Sequence, residues 1–373
     1  MGEMRPVRQR YRSHHRDAPC LRERHAHAGR SSFLYRGARG ILMGTAFIRA
    51  DEETRKDENP KDRPAARLAI ERHLSRCAGA EGVFTILAID HRANLAEDMA
   101  TARGRPVSRQ DLLTFKRAAI QGLAGSYSAV LADPDYGFLA LENMPADMPG
   151  NPESEFGLLA PLEITDYSAH PSRRETKFIE NWGVEEIVRS GGNGAKLLLF
   201  FHPESARARA QTELVDRIGA QCRACSLPFF LEPVACSLKP DQTLSNEERT
   251  QVTVETARHF SQRSVDVLKV PFPLNPDVSP DTWKPALRDL DEACTVPWTL
   301  LSGGVSFELF AKQAEAACRA GASGVIAGRA VWGEGVSLEG EALDTFMKTT
   351  ARKRMETLAA LCNRYGTPWH ARS

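Results

Sequence analysis

Two lysines set among apolar residues are the first sign of chemistry in this 373-residue chain. Lys269 stands in Val265-Asp266-Val267-Leu268-Lys269-Val270-Pro271-Phe272-Pro273, and Lys196 in Gly194-Ala195-Lys196-Leu197-Leu198-Leu199-Phe200-Phe201. An ammonium sheds water at high cost, so lysines are rare inside apolar strands. Desolvation and a neighbouring cation both lower a lysine pKa, which frees the amine to attack a carbonyl. Lys269 alone fits a nucleophile or a lysine that snorkels or pairs with a carboxylate. Lys196 tilts the choice, because a second ammonium nearby would depress the Lys269 pKa and could hold a substrate oxyanion. Glu232, in Pro228-Phe229-Phe230-Leu231-Glu232-Pro233, supplies a carboxylate able to shuttle protons for carbinolamine formation, dehydration and carbon–carbon cleavage. A purely structural salt-bridge cluster is the alternative use of the same three residues.

Further polar residues fall where a ligand would meet them. Asp90-His91-Arg92 offers Asp90 to a substrate hydroxyl or to Lys196, and Arg92 to a second anionic group. Two Gly-containing stretches, Leu300–Ser306 and Ile326–Trp332, suit an anion: Ser302, Gly303, Gly304 and Gly328 let backbone N–H groups approach, and Arg329 adds a charged fork. A phosphorylated ligand is expected there. His91, His202, Asp90 and Glu232 could be imagined around a divalent metal, but ligand-spaced His pairs are missing from this region and two lysines would repel a cation. No metal and no cofactor are expected, and His202 reads as a hydrogen-bonding loop residue.

The elements that must position these residues come next. Eight short runs rich in β-branched or aromatic residues follow one another: 83–89, 128–132, 157–162, 195–201, 228–231, 265–270, 297–301 and 323–327. Amphipathic stretches of helical period separate most of them, among them 112–123, 206–222, 246–262 and 307–320. Near the carboxyl ends of the runs lie Asp90, Asp133, Glu163, Lys196, Glu232, Lys269, Ser302 and Arg329, spaced 27–43 residues apart, one βα unit each. Lys196 is the exception, lying early in its run. Eight such units predict an α/β fold, a (β/α)8 TIM barrel over residues 65–373 with its site at the carboxyl ends of the strands; a doubly wound open sheet is the alternative. Period-two alternation puts Lys269 in phase with Val265 and Val267, all inside or all outside. Residues 65–77 read as a helix capping the barrel bottom and 339–365 as one long terminal helix.

Composition narrows the function classes. Residues 1–40 hold ten Arg and no Lys against three acids, a local charge of +7, so the remaining 333 residues carry −6 within the net +1. A mildly acidic body with a basic leader has no nucleic-acid footprint, and no apolar run approaches the roughly 20 residues that span a bilayer. Residues 1–64 are expected to be a disordered basic extension and linker, or the product of an upstream start with Met43 as the true one; a transit peptide is the other reading. The eight cysteines are scattered, and Cys222 and Cys225 lack a second pair to complete a zinc site. Structural thiols in a reduced cytoplasm are expected.

Taken together, the motifs resemble the class I tagatose-bisphosphate aldolases and the related sulfofructose-phosphate aldolases, over roughly 74–336. The carriers are Ile86-Leu87-Ala88-Ile89-Asp90-His91-Arg92-Ala93-Asn94-Leu95, the Lys196 and Lys269 strands, Phe229-Phe230-Leu231-Glu232-Pro233, and the Ser302-Gly303-Gly304 and Gly328-Arg329 loops. The resemblance implies that Lys269 forms the Schiff base, Glu232 acts as acid and base, Lys196 contacts substrate oxygens, and the two loops hold the phosphate of a dihydroxyacetone-phosphate unit. Three departures bear on the substrate. His91 and Ala93 stand where the family usually has Gln and Gly, Val270-Pro271 follows Lys269 in place of an acidic residue, and Glu163-Ile164-Thr165 lacks a lysine often found there. The expectation is retro-aldol cleavage of a ketose 1-phosphate or 1,6-bisphosphate, with Lys196, Asp90 and Glu163 on the hydroxyls and a phosphorylated sugar as the partner molecule; a homo-oligomer is left open. The rival readings are a non-catalytic sugar-phosphate-sensing barrel and a metal-dependent aldolase.

Overall fold

A computed structural model describes residues 64–142, 156–164, 169–240 and 242–372. The expectations for residues 1–63, including Met43 and the linker, lie outside the described residues, as does Thr165. Eight parallel strands close into a barrel: β1 (Phe84–Ala88), β2 (Ala129–Leu131), β3 (Gly157–Pro161), β4 (Gly194–Phe201), β5 (Phe229–Ala235), β6 (Val267–Val270), β7 (Trp298–Leu301) and β8 (Gly324–Ala327). Closure runs from β1 to β8, with Phe84 opposite Gly324 and Leu87 opposite Ala327. Strands lie side by side in sequence order, the arrangement that right-handed βαβ crossovers generate.

Strand alternation divides the core into two layers. Phe84, Ile86, Leu131, Leu159, Phe230, Val267 and Ile326 fill the barrel, while Leu87, Val130, Leu158, Leu197, Leu231 and Leu268 face the helices. Val267 points inward, and Lys269 two residues later shares its phase. Val265 does not: it packs with the outer layer, because β6 begins only at Val267 and the alternation starts there. The helix Pro64–Cys77 closes the bottom as expected, lending Ile70, Leu74 and Cys77 to the inner cluster beside Trp369.

The helices begin where side chains can satisfy their first N–H groups. Ser108 and Asp111 form a reciprocal cap for Arg109–Gly122, and Ser245 and Glu248 do the same for Asn246–Ser261. Two elements differ from expectation. β5 runs on through Glu232 and Pro233 to Ala235, although Glu and Pro ordinarily punctuate strands. Pro233 is tolerated because β6 pairs only with Phe230 and Leu231, so its missing N–H interrupts no ladder there. The C-terminal segment is helical throughout 340–365, as expected, but a π turn, Met347–Ala351, interrupts the α geometry between Gly340–Phe346 and Arg352–Tyr365. The widened turn lies against Gly122, where an added methyl would come within 2.6 Å of Met347 Cβ. Among the described residues no helix is long and apolar enough to cross a membrane.

Candidate active site

The barrel mouth gathers residues that five strands, β1 and β3 to β6, carry in them or just past their ends. β5 sets Glu232 opposite Leu198 of β4, and β6 carries Lys269 at the neighbouring level. Lys196 starts one alternation lower, opposite Phe230, and its long stem carries the amine up to the carboxylates. This explains the early position of Lys196 in its run. The side chains of Lys196, Lys269, Glu232, Glu163 and Asp90 are all between 3 and 11% exposed, too buried for any of the charges to stand alone.

One carboxylate oxygen joins the two amines. Glu232 Oε2 lies 2.9 Å from Lys269 Nζ and 3.0 Å from Lys196 Nζ. Lys196 also donates to Glu163 Oε1 at 2.6 Å and to Asp90 Oδ2 at 3.2 Å. Glu232, on the strand between those of the two lysines, therefore stands between their amines. Burial would push the Lys196 amine down, but Glu163, Glu232 and Asp90 outweigh it and hold the pKa well above the usual lysine value.

The carboxylates divide by environment. For Glu163 burial prevails over the pull of Lys196 and the carboxyl is raised. Burial also works on Glu232, yet Lys196 and Lys269 overcome it and the carboxyl is lowered. Asp90 lies well below the usual carboxylate range, since Lys196 first and then Lys269 outweigh the effect of burial. Two glutamates on one amine, shifted in opposite directions, are equipped to hold different protonation states.

The cavity above these groups measures about 180 Å³, and Asp90, His91, Arg92, Asn94, Glu163, Ile164 and Leu198 line it along with the lysines and Glu232. Three buried polar atoms at its wall lack a hydrogen-bond partner among the described residues: His91 Nδ1, Asn94 Nδ2 and Glu163 Oε2. His91 is pushed down to about 3, by burial first and then by Arg329, Lys269 and Lys116, against Asp90, and so is a neutral ring. Its edge meets Trp332 at a centroid distance of 5.0 Å, and the Trp332 indole N–H donates to the Ala88 carbonyl at 2.9 Å, tying β1 to the turn after β8. Arg92 is already engaged, by the Glu163 carbonyl and by Asp135 at 3.3 Å.

The expected phosphate residues lie beside this cavity rather than in its wall. Gly303 and Gly304 have φ of 58° and 79°, the left-handed region that glycine adopts without strain. The Arg329 guanidinium packs against Gly304, 3.5 Å from where a Cβ would sit, so the two loops meet. Gly304 and Arg329 line a separate cavity of about 460 Å³. His91 bridges the two regions, its Cε1 3.1 Å from the position of a Cβ on Gly328.

Some residues behave otherwise than their sequence positions suggested. Asp133 was expected at the mouth; it is instead fully buried against Lys116 of the helix Arg109–Gly122. Asn94, part of the first motif, was given no role, and only its unpaired amide at the cavity wall marks it. His202 Nδ1 accepts the Glu204 N–H at 3.2 Å in a loop, as expected. Cys222 and Cys225, at the end of the helix Ala208–Ala224, are free thiols pushed up by burial.

Comparison with known proteins identifies the family. Residues 84–334 match the DeoC/LacD family aldolase. Tagatose 1,6-diphosphate aldolase 1 of Enterococcus faecalis is 30% identical over 310 residues, covering 77% of this chain and 92% of that protein. Tagatose 1,6-diphosphate aldolase of Listeria monocytogenes is 29% identical over 320 residues, covering 79% and 92%. Among solved structures, a fructose-bisphosphate aldolase of Plasmodium falciparum superposes with a TM-score of 0.62 at 13% identity, over 82% of this chain and 96% of the other. An archaeal fructose 1,6-bisphosphate aldolase gives 0.52 at 20% identity, over 79% and 99%. These two likenesses speak for the barrel alone. The chain belongs to the DeoC/LacD family of aldolases, which are carbon–carbon lyases.

Proposed function

We propose that this aldolase works through a Schiff base on Lys269 and cleaves a ketose 1-phosphate or 1,6-bisphosphate to dihydroxyacetone phosphate and an aldehyde. The observation that carries the reading is the single Glu232 oxygen shared by two buried amines. Lys196 is held by three carboxylates and stays an ammonium, whereas Lys269, which borders the same cavity, pairs among the described residues with Glu232 alone. The nucleophile is therefore Lys269.

Lys269 passes a proton to Glu232 and its free amine attacks the C2 carbonyl. The protonated Glu232 gives that proton to the departing hydroxyl of the carbinolamine, and water leaves as the iminium forms. Glu232, a carboxylate again, takes the proton of the C4 hydroxyl. The C3–C4 bonding pair then moves into the iminium, leaving an enamine and the aldehyde. Protonation at C3 and hydrolysis of the imine return Lys269. The Lys196 ammonium, buried and therefore weakly screened, steadies negative charge developing on substrate oxygens. Asp90 and Glu163 orient hydroxyls. Ser302, Gly303, Gly304, Gly328 and Arg329 take the phosphate of the triose half, and Arg92 a distal anionic group. The tagatose bisphosphate named for the two relatives is the first substrate to try, and a sulfofructose phosphate is the second, given His91 and Ile164 at the cavity. No resident cofactor enters this scheme. Buried free thiols fit a reduced, cytoplasmic setting.

An aldol-cleavage screen over tagatose, fructose and sulfofructose phosphates, with enzymatic detection of the triose phosphate, tests this reading. Turnover of at least one is expected. Binding of the ketose phosphates without release of triose phosphate would overturn it in favour of a sensor.

A further inference from the structure

The helix Arg109–Gly122 buries a lysine that the proposed reaction does not use. Neither Lys116 nor Asp133 has any exposed side-chain surface. The Lys116 ammonium donates to the carbonyl oxygens of Ile89 at 2.6 Å and His91 at 2.8 Å, and to the Asp133 carboxylate. Three N–H donors meet three acceptors, which leaves none for a substrate. The second Asp133 oxygen accepts the Tyr136 N–H at 2.9 Å, anchoring the pair to the loop after β2.

The two carbonyls belong to the residues immediately before and after Asp90. Asp90 Oδ2 lies 3.2 Å from Lys196 Nζ, and its Oδ1 lies 3.6 Å from His91 Nδ1. Lys116 thus holds the peptide that enters Asp90 and the one that leaves His91, from behind the barrel wall. A buried ion pair adds little stability over an apolar filling of the same volume, because desolvation offsets its attraction. What a fully bonded ammonium adds here is placement: three fixed directions for the loop.

We propose that Lys116 and Asp133 are a positioning pair that sets the Asp90 carboxylate against Lys196 for the aldol reaction, without touching substrate. The proposal rests on the Schiff-base reading above and assigns the pair its part in that reaction. Displacing Asp90 removes one of the three carboxylates on Lys196 and shifts Asp90 itself from the substrate hydroxyls, and a misplacement of about 1 Å at such a site costs up to about a hundredfold in rate.

The test uses the full chain and the better of tagatose 1,6-bisphosphate and fructose 1,6-bisphosphate. Lys116→Met with Asp133→Asn removes both charges together, so none is left unpaired. With helicity and melting temperature retained, kcat should fall about tenfold or more and KM should stay within about threefold. Should the double variant fail to fold, Asp133→Asn alone keeps the shape and the Tyr136 contact and carries the same comparison, with a smaller loss. Asp90→Asn supplies the control: if the pair acts through Asp90, its removal from that variant costs no more than about twofold further. Unchanged kcat in a folded pair variant overturns the proposal, and so do losses that multiply with Asp90→Asn. Borohydride trapping on the unaltered protein runs in parallel. No adduct on Lys269 there would sink the reaction itself; an adduct beside unaffected pair variants would sink only the positioning role.

Discussion

At the scale of the residue, the account turns on how five buried groups share charge. Lys196 stays protonated because three carboxylates surround it, so Lys196→Met should do more than weaken a contact. It should leave Glu163, Glu232 and Asp90 to repel one another, and kcat should drop about a hundredfold or more in steady-state assays, a loss of the size seen when a preorganised donor is removed. His91 makes a second prediction, on stability. Its pKa falls from 6.5 to about 3 on folding, so between those values the unfolded chain binds more protons and stability declines as pH falls. His91→Gln removes that term. Urea unfolding should find the variant gaining on the parent by about 2 kcal/mol between pH 7 and pH 5, at about 1.4 kcal/mol per pH unit below 6.5. A constant difference across that interval would contradict a neutral His91. Lys269, Lys196 and Glu232 could be singled out from the sequence because a charge inside an apolar strand is anomalous wherever it points. Lys116 could not, because a lysine on an amphipathic helix ordinarily faces water and nothing in its neighbours says otherwise. Asn94 stayed silent for a similar reason: an amide is at home anywhere on a surface.

Elements decide where those residues arrive. β5 had to outrun its sequence signal for Glu232 to sit in the strand, a matter of pairing between strands that no single run of residues encodes. β4 starts where its run does, and the early place of Lys196 in it was legible. The phosphate loops depend on backbone shape instead. Gly304, at φ 79°, lies against Arg329, so Gly304→Ala would be strained and would crowd the guanidinium. Its KM for a phosphorylated ketose should rise about tenfold, with kcat at saturation largely kept, the pattern of lost uniform binding. A matching loss in kcat instead would mean that the loop serves more than binding. Ser108→Ala probes the other end of the scale: loss of the cap on Arg109–Gly122 should lower stability by about 1 kcal/mol in denaturant titration and leave KM untouched.

The whole molecule separates stability from chemistry along the barrel axis. Trp369 and the helix Pro64–Cys77 close the bottom, while every charged residue of the proposed reaction lies at the mouth. Trp369→Ala should therefore cost about 3–5 kcal/mol of stability, read by thermal or denaturant unfolding, while kcat at a temperature where the protein is folded stays within about twofold. The barrel itself was legible from the beat of eight runs, since each βα unit repeats one physical pattern. How far the phosphate loops stand from the lysine cavity was not, because that distance is set by the closure of β1 on β8. The central claim is that Lys269 becomes covalently bound to substrate. Incubating the protein with tagatose 1,6-bisphosphate or fructose 1,6-bisphosphate, reducing with borohydride and mapping the modified peptide by mass spectrometry tests it directly. The account predicts a triose-phosphate adduct on Lys269 that disappears in Lys269→Ala along with turnover; a protein that cleaves substrate yet carries no adduct there, or carries it on Lys196, would contradict it.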